Sequence, residues 1–130
     1  MKILLDTHVL LWVLKDSPQL PSYVRDMVAD EKNEIYVSAA SLWEIAIKHK
    51  KKPEIFPFSA TNIRDYCQRS GFCFLSISTD SIAIFERNSF SENNDPFDQM
   101  LVSQSIANNM KLITHDYKIK EFNIGNIELF

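Results

Sequence analysis

The stretch KILLDTHVLLW, residues 2–12, decides the fold. Its first part, KILLD, has the continuous apolar pattern of a short buried strand. The segment THVLLWVLK follows directly and is apolar nearly all round, which predicts a buried helix. One carboxylate, Asp6, stands between the two, where an ionised group removed from water is costly unless something pairs with it. Asp6 therefore either caps the helix that begins at Thr7 or binds a cation.

The size and charge of the chain limit its class. It has 130 residues, 45% of them hydrophobic and 24% charged, so we expect a single domain over residues 1–130. No apolar run approaches the ~20 residues that cross a bilayer, and the start lacks the pattern of a signal peptide. We therefore expect a cytoplasmic protein without membrane contact. The net charge of −3 argues against an extended cationic surface, although bound divalent cations change the sign of a site locally.

Strand-like and helix-like segments alternate along the chain. The predicted strands are KILLD, EIYVS, FCFLSI, KLIT and IGNIELF, and the predicted helices are THVLLWVLK, PSYVRDMVADEK, AASLWEIAIKHKK, SATNIRDYCQRSG, TDSIAIFER and DPFDQMLVSQSIANN. We expect a polar loop at SFSENN and a turn into a short helix at HDYKIKEF. The alternation predicts an α/β fold with a central, mostly parallel sheet flanked by helices on both faces. In such sheets, ligands bind beyond the carboxyl ends of the strands.

Several residues mark the expected ends of these helices. Gly71 is placed to close one helix as the residue after its C-cap. Thr79 is the expected N-cap of TDSIAIFER, and Asp95 the expected N-cap of the next helix, with Pro96 at its first position.

Four acids lie where predicted strands end or helices begin: Asp6, Glu44, Asp98 and Asp116. Each also has a purely structural explanation. Asp6 suits a helix N-cap, Asp98 suits the positive end of a helix dipole, and Asp116 suits the cap of a short helix at Tyr117.

Glu44 has two structural explanations. It completes the capping-box pattern Ser41-x-x-Glu44, and it is also four residues before Lys48, which suits an ion pair on a helix. Ser38 is the better cap, because Ala39 and Ala40 already have helical character, and Glu44 then lies more than one turn into an apolar helix.

Parallel strands would bring the four acids to one edge of the sheet. Carboxylates that close together repel, and a hard divalent cation relieves the repulsion. Ligand sets made only of oxygen favour Mg²⁺ or Mn²⁺ over zinc. The two cysteines and three histidines show no metal-ligand spacing.

The basic run KHKKK, residues 48–52, is either a solvated helix end or a phosphate contact through Lys48, Lys50 and Lys51.

The stretches LLDTHVLLW, SAASLWEIAIK, DPFDQML and LITHDYKI, in this order, resemble the PIN-domain family, specifically the VapC-type toxins of toxin–antitoxin pairs. The resemblance implies an α/β fold and an Mg²⁺- or Mn²⁺-dependent ribonuclease that acts on RNA phosphodiester bonds. It also implies a cognate antitoxin as partner and, in many members, a homodimer.

By this resemblance Asp6, Glu44, Asp98 and Asp116 are the metal-binding acids. Of these, Asp6 and Asp116 are the expected direct ligands, and Glu44 and Asp98 either complete the shell or orient its waters. Thr114 matches a position where the family often keeps a hydroxyl near the site, and Thr7 is a possible supporting residue. Gln99 departs from the family, which commonly has arginine after DPFD, and this puts one substrate contact in doubt.

Two other functions stay open at this point. One is a PIN-like binding module without activity, although all four acids are present. The other is a receiver-type signalling domain with an Mg²⁺ pocket. A receiver needs a phosphoacceptor aspartate at the end of its third strand, where this chain has FCFLSIS, and a lysine after its fifth.

Overall fold

The computed structural model describes residues 1–88, 95–116 and 127–130. In this part of the chain, pairs of helices separate the first four of five strands, in the following order: β1 Lys2–Leu5, α1 Thr7–Lys15, α2 Ser22–Ala29, β2 Glu34–Ser38, α3 Ala39–Lys51, α4 Ala60–Arg69, β3 Cys73–Leu75, α5 Thr79–Arg87, α6 Pro96–Ala107, β4 Lys111–Thr114 and β5 Ile127–Leu129. The predicted loop SFSENN and the predicted helix after Asp116 lie outside the described residues.

All the strand pairs are parallel, and the strand order is β3-β2-β1-β4-β5. This confirms the predicted α/β class. The central strand β1 pairs with β2 on one side, with Leu5 opposite Val37, and with β4 on the other, with Leu5 opposite Ile113. The chain therefore extends the sheet in one direction from β1 to β3 and then continues on the other side of β1. Such a reversal of strand order opens a crevice at the carboxyl ends of β1 and β4.

Both faces of the sheet are covered, because neighbouring strand residues point to opposite faces. Ile3 and Leu5 of β1 are fully buried in a core shared with α1, α2, α3 and α4. Leu4, between them, packs with Leu101 and Val102 of α6 on the other face. The continuous apolar pattern of β1 thus reflects a strand buried on both sides.

Most of the expected helix ends are confirmed. Gly71 follows the C-cap of α4 with a φ of 79°, a conformation that glycine adopts without strain. Asp95 caps α6, since its Oδ1 accepts a hydrogen bond from the Phe97 amide at 2.9 Å. The expected cap at Thr79 is wrong: Ser78 is the N-cap of α5, and its Oγ accepts from the Ser81 amide at 3.1 Å. The two neighbouring hydroxyls are chemically equivalent as caps, and the helix begins one residue earlier than the pattern indicates.

A buried polar contact holds the start of α3. Ser38 caps this helix, and its hydroxyl donates to Oε1 of Gln104 on α6 at 2.6 Å. The Gln104 amide in turn donates to the backbone carbonyl of Ser76, after β3, at 3.2 Å. The first turn of α3 is therefore tied to α6 and to the segment that follows β3.

Candidate functional site

Asp6 stands at the crevice between β1 and β4, and each of its carboxylate oxygens accepts a hydrogen bond. Oδ1 accepts a hydrogen bond from the Val9 amide at 2.8 Å, which makes Asp6 the N-cap of α1. Oδ2 accepts a hydrogen bond from the hydroxyl of Thr114, at the end of β4, at 2.5 Å. Only 3% of Asp6 is exposed. The carboxylate is thus a structural cap that is also held in place from the neighbouring strand.

This environment disfavours the charge on Asp6. Burial raises the pKa of its carboxyl group above the ordinary value of 3.8, and nearby Asp116 raises it further. The hydrogen bonds from Thr114 and Val9, together with the charge of His8, act in the opposite direction and do not offset the burial. A cation beside Asp6 would lower the free energy of its ionised form.

Thr114 links the two acids at this crevice. Its side chain is fully buried, it donates to Asp6, and its oxygen also accepts a hydrogen bond from the backbone amide of Asp116 at 3.0 Å. One hydroxyl therefore orients the Asp6 carboxylate and the backbone that carries Asp116. The structure places Thr114 where the sequence predicted a supporting hydroxyl.

Two of the four predicted acids line a common cavity. It has a volume of about 240 Å³, and its lining is formed by Asp6, His8, Trp12, His115 and Asp116. The two carboxylates follow β1 and β4, which the parallel pairing of these strands brings side by side. The cavity therefore lies at the reversal of strand order, the expected position for a ligand in an open α/β sheet.

Glu44 lies in the second turn of α3 and is buried. Its carboxylate pairs with Nζ of Lys48 at 2.8 Å, which confirms the predicted ion pair. The capping-box explanation is wrong, because Ser38 caps the helix and Ser41 lies inside it. Ser41 instead accepts a hydrogen bond from the Thr7 hydroxyl at 2.9 Å, so Thr7 joins the first turns of α1 and α3. The helix that carries Glu44 is thereby held beside the one that Asp6 caps.

Asp98 occupies the third position of α6, in the first turn. Only three residues separate the end of α6 at Ala107 from the start of β4 at Lys111, so the helix runs antiparallel to β4. Its first turn consequently lies toward the carboxyl edge of the sheet. Phe97 contacts the Trp43 ring of α3, with ring centroids 5.4 Å apart, which places the starts of α3 and α6 side by side.

The donor chemistry at the cavity suits a hard cation. Within residues 1–88, 95–116 and 127–130, no group of three or more His, Cys, Asp or Glu side chains is arranged to hold a metal ion. Asp6 and Asp116 nevertheless offer the oxygen ligands that Mg²⁺ prefers, and Mg²⁺ is usually held by only one or two carboxylates, with water and substrate phosphate completing its shell. The residues present therefore fit such an ion through two carboxylates, while Glu44 and Asp98 are absent from the described cavity lining.

The basic run at the end of α3 divides into two parts. Lys48 is engaged by Glu44 and lies over the Phe56 ring, 5.9 Å from its centroid. Lys50 and Lys51 are exposed at the end of the helix. The lysines of this run that remain available to an outside anion are thus Lys50 and Lys51, together with Lys52 at the C-cap of α3.

Three lining residues, His8, Trp12 and His115, are not identified from the sequence as parts of a site. The apolar pattern places Trp12 only within a buried helix, and no metal-ligand spacing marks His8 or His115. Their shared cavity depends on the pairing of β1 with β4, for which neither local segment carries a signal.

A family model described as the PIN domain matches residues 3–124. The chain belongs to the PIN-domain family. PIN domains are typically nucleases, that is hydrolases, and generally use divalent metal ions. A comparison with curated protein sequences gives no match.

Solved structures with the same fold come from several bacteria. VapBC2 from Rickettsia felis, bound to a DNA fragment from its promoter, aligns with a TM-score of 0.73 and 19% identity over 99% of this PIN domain and 98% of that chain. VapBC-1 from nontypeable Haemophilus influenzae aligns with a TM-score of 0.71 and 16% identity, over 99% of this PIN domain and 98% of that chain. DNA-bound VapBC from Salmonella typhimurium aligns with a TM-score of 0.70 and 15% identity, over 98% of this PIN domain and 97% of that chain. At these identities the likeness establishes the fold.

Among the described residues, no helix combines the length and apolar character needed to cross a membrane.

Proposed function

We propose that this PIN domain is an endoribonuclease dependent on Mg²⁺ or Mn²⁺, and that it is the toxin of a VapC-type toxin–antitoxin pair. The observation that carries the proposal is the buried Asp6 carboxylate, which shares a cavity with Asp116 although burial makes its charge costly. Serine or asparagine at the position of Asp6, directly after the apolar end of β1, would cap α1 without this cost. A cation site explains why an acid stands there.

Each residue of the proposed site would have its own role in the reaction. Asp6 and Asp116 would hold the ion, which when bound would supply an activated water and neutralise charge that develops on the phosphate. Thr114 fixes the Asp6 carboxylate through a hydrogen bond of 2.5 Å, so that Oδ2 keeps one orientation. Glu44 and Asp98 are proposed, from the family resemblance, to complete the shell or to orient its waters.

The binding of RNA would use surface outside the cavity as well. The acids repel a phosphate until a cation is bound, and the chain carries a net charge of −3. Lys50 and Lys51, exposed at the end of α3, are the proposed phosphate contacts. Lys48, included with them as a candidate from the sequence, is less suited because Glu44 already pairs with it.

A matched pair of substitutions on α6 tests the proposal. Asp98→Ala should stay folded and lower metal-dependent RNA cleavage by roughly tenfold to a hundredfold or more, as expected for a residue that positions a metal. Asp95→Ala should lose the cap to Phe97, cost about 0.5–2 kcal/mol of stability and still cleave RNA well below its melting temperature. Both are assayed across Mg²⁺ and Mn²⁺ titrations, beside a chelated control.

Three outcomes would contradict the proposal. The first is that the unmodified protein does not cleave RNA at any concentration of either metal, which would favour a binding module. The second is cleavage that persists in chelator. The third is an active Asp98→Ala variant beside a folded but inactive Asp95→Ala variant, which would assign the wrong acid of this helix to the site.

The toxin assignment predicts a protein partner. The similar folds solved as VapBC complexes support a cognate antitoxin for this chain. Co-expression with the product of the neighbouring gene should give a stable complex that does not cleave RNA. Full activity in a complex saturated with that partner would contradict this part of the proposal.

A further inference from the structure

The cavity that holds Asp6 and Asp116 also has an aromatic side. Trp12 of α1 and His115, which follows β4, both line it. Their ring centroids are 5.2 Å apart with an interplanar angle of 62°, an edge-to-face arrangement. We call these two rings the aromatic wall.

The aromatic wall is held in place by the rest of the fold. Trp12 is partly buried against the main core, whereas His115 is exposed. Phe130 contacts both rings, with centroid distances of 6.0 Å to Trp12 and 5.0 Å to His115. The carbonyl oxygen of Phe130 also contacts Nδ1 of His115. A surface whose rings are already oriented loses little conformational entropy when a flat ligand packs against it.

Electrostatics alone would not hold RNA in this cavity. The described residues that line it include two carboxylates and no lysine or arginine. The two carboxylates repel a phosphate unless a cation is bound, and a cation does not attract the uncharged base of a nucleotide, so the attraction for the base has to come from uncharged contacts. Aromatic rings supply such contacts to any nucleobase, because every base has a π-face.

We propose that the aromatic wall stacks an unpaired nucleobase adjoining the phosphate on which the acids would act. The inference rests on the proposed function, since it assumes a ribonucleotide ligand at this cavity. It implies that the protein prefers single-stranded RNA, because a base within a helix is already stacked and is not available to the aromatic wall.

The same rings also have a structural role that a test must separate from binding. The Phe130 amide donates to the Thr114 carbonyl at 3.3 Å, so Phe130 and the aromatic wall help attach β5 to β4. A purely structural wall predicts that changes in Trp12 or His115 alter stability and have no effect that depends on the base of a ligand.

Adenosine 5′-monophosphate and ribose 5-phosphate form a suitable pair of probes, because they differ only in the base and contain no phosphodiester bond to cleave. The chain has two tryptophans, so the indole N–H resonances of Trp12 and Trp43 report on the two positions separately. With Mg²⁺ present, adenosine monophosphate should shift the Trp12 resonance and bind roughly tenfold more tightly than ribose phosphate, as a stacked base contributes. The Trp43 resonance should not move, since this ring contacts Phe97 and is 62% exposed on another surface.

Variants then assign the effect to the aromatic wall. His115→Ala and Trp12→Leu should remove the preference for adenosine monophosphate, and the matched variant Trp43→Leu should keep it. If Trp12→Leu does not fold, the exposed His115 still allows the test. Equal binding of both probes, or variants that melt lower yet keep the tenfold preference, would overturn the inference.

The two proposals fail in distinguishable ways. Metal-dependent RNA cleavage without any base-dependent shift at Trp12 would overturn the aromatic wall and leave the nuclease proposal standing. A base-dependent shift in a protein that never cleaves RNA would support the aromatic wall and overturn the nuclease proposal.

Discussion

Replacement of Thr114 by valine tests whether one hydroxyl organises the site. Valine has nearly the shape of threonine, so the fully buried position stays filled. The variant loses the hydrogen bond to Oδ2 of Asp6, 2.5 Å long, and the one from the Asp116 amide, 3.0 Å long. Thr114→Ser is the matched control, because it keeps the hydroxyl and loses only a methyl group.

The magnitude follows from the kinds of bond that are lost. A hydrogen bond to a charged group contributes about 1.5–3 kcal/mol and a neutral one about 1 kcal/mol, so Thr114→Val should lower the free energy of unfolding by roughly 2–4 kcal/mol at neutral pH. The free energy of unfolding of a small domain is about 5–15 kcal/mol, so the variant should still fold. Thr114→Ser should cost about 1 kcal/mol, as for removal of one buried methyl group.

The loss should depend on pH. Because the folded-state pKa of Asp6 is raised above 3.8, its contribution to stability is fully present below 3.8 and is lost as the pH rises through the folded value. The Thr114 hydrogen bond lowers that pKa, so the valine variant raises it further and loses more stability by pH 7. The free energy of unfolding that Thr114→Val loses relative to the unmodified protein should therefore be larger at pH 7 than below pH 3.8.

Urea unfolding of metal-free protein at the two pH values measures these quantities. The serine control shows whether an effect belongs to the hydroxyl or to packing. A valine variant within 0.5 kcal/mol of the unmodified protein, the usual range for surface substitutions, would refute the reasoning, since both hydrogen bonds would then contribute nothing. A loss that is the same at both pH values would show that Asp6 is not the partner that matters.

Two further predictions concern charge. Asp6→Asn should raise the free energy of unfolding of the metal-free protein at neutral pH by on the order of 1 kcal/mol, and with it the melting temperature, because an amide also caps a helix and carries no buried charge. Mg²⁺ should stabilise only the unmodified protein, and a variant that melts clearly lower would show that the charge of Asp6 acts mainly through capping. Substitution of Lys50 and Lys51 by alanine should weaken RNA binding and reduce its salt dependence, whereas Lys48→Ala should lower stability by about 1 kcal/mol because it leaves buried Glu44 unpaired; filter binding across salt concentrations and thermal melts distinguish these outcomes.

Local signals in the sequence were enough for most elements. The predicted helices over THVLLWVLK and AASLWEIAIKHKK match α1 and α3 as observed, Thr7–Lys15 and Ala39–Lys51, because a capping side chain stands before each apolar run. The helix predicted over PSYVRDMVADEK is shorter, Ser22–Ala29, since its last residues carry no apolar pattern that would keep them packed. Periodicity and caps act within a few residues, which is why they could be identified without the fold.

Contacts between distant segments could not be predicted in the same way. Asp6 and Thr114 are 108 residues apart, and their hydrogen bond exists only because β1 pairs with β4. The strand pattern predicted that all four acids lie toward one edge of the sheet, but no local pattern predicts the rotation of each helix about its axis. That rotation decides that the Glu44 carboxylate meets Lys48, while Asp6 faces the cavity with Asp116.

The central position of β1 has a consequence for protein synthesis. Of the two strands that pair with β1, β2 follows it closely in the chain, whereas β4 becomes available only after residue 111 has been made. Until then, Asp6 has neither the Thr114 hydroxyl nor Asp116 beside it. A nascent chain therefore cannot assemble the cavity before Thr114 and Asp116 have been made. The order of the strands thus delays the chemistry of the site until β4 and the residues that follow it have been synthesised.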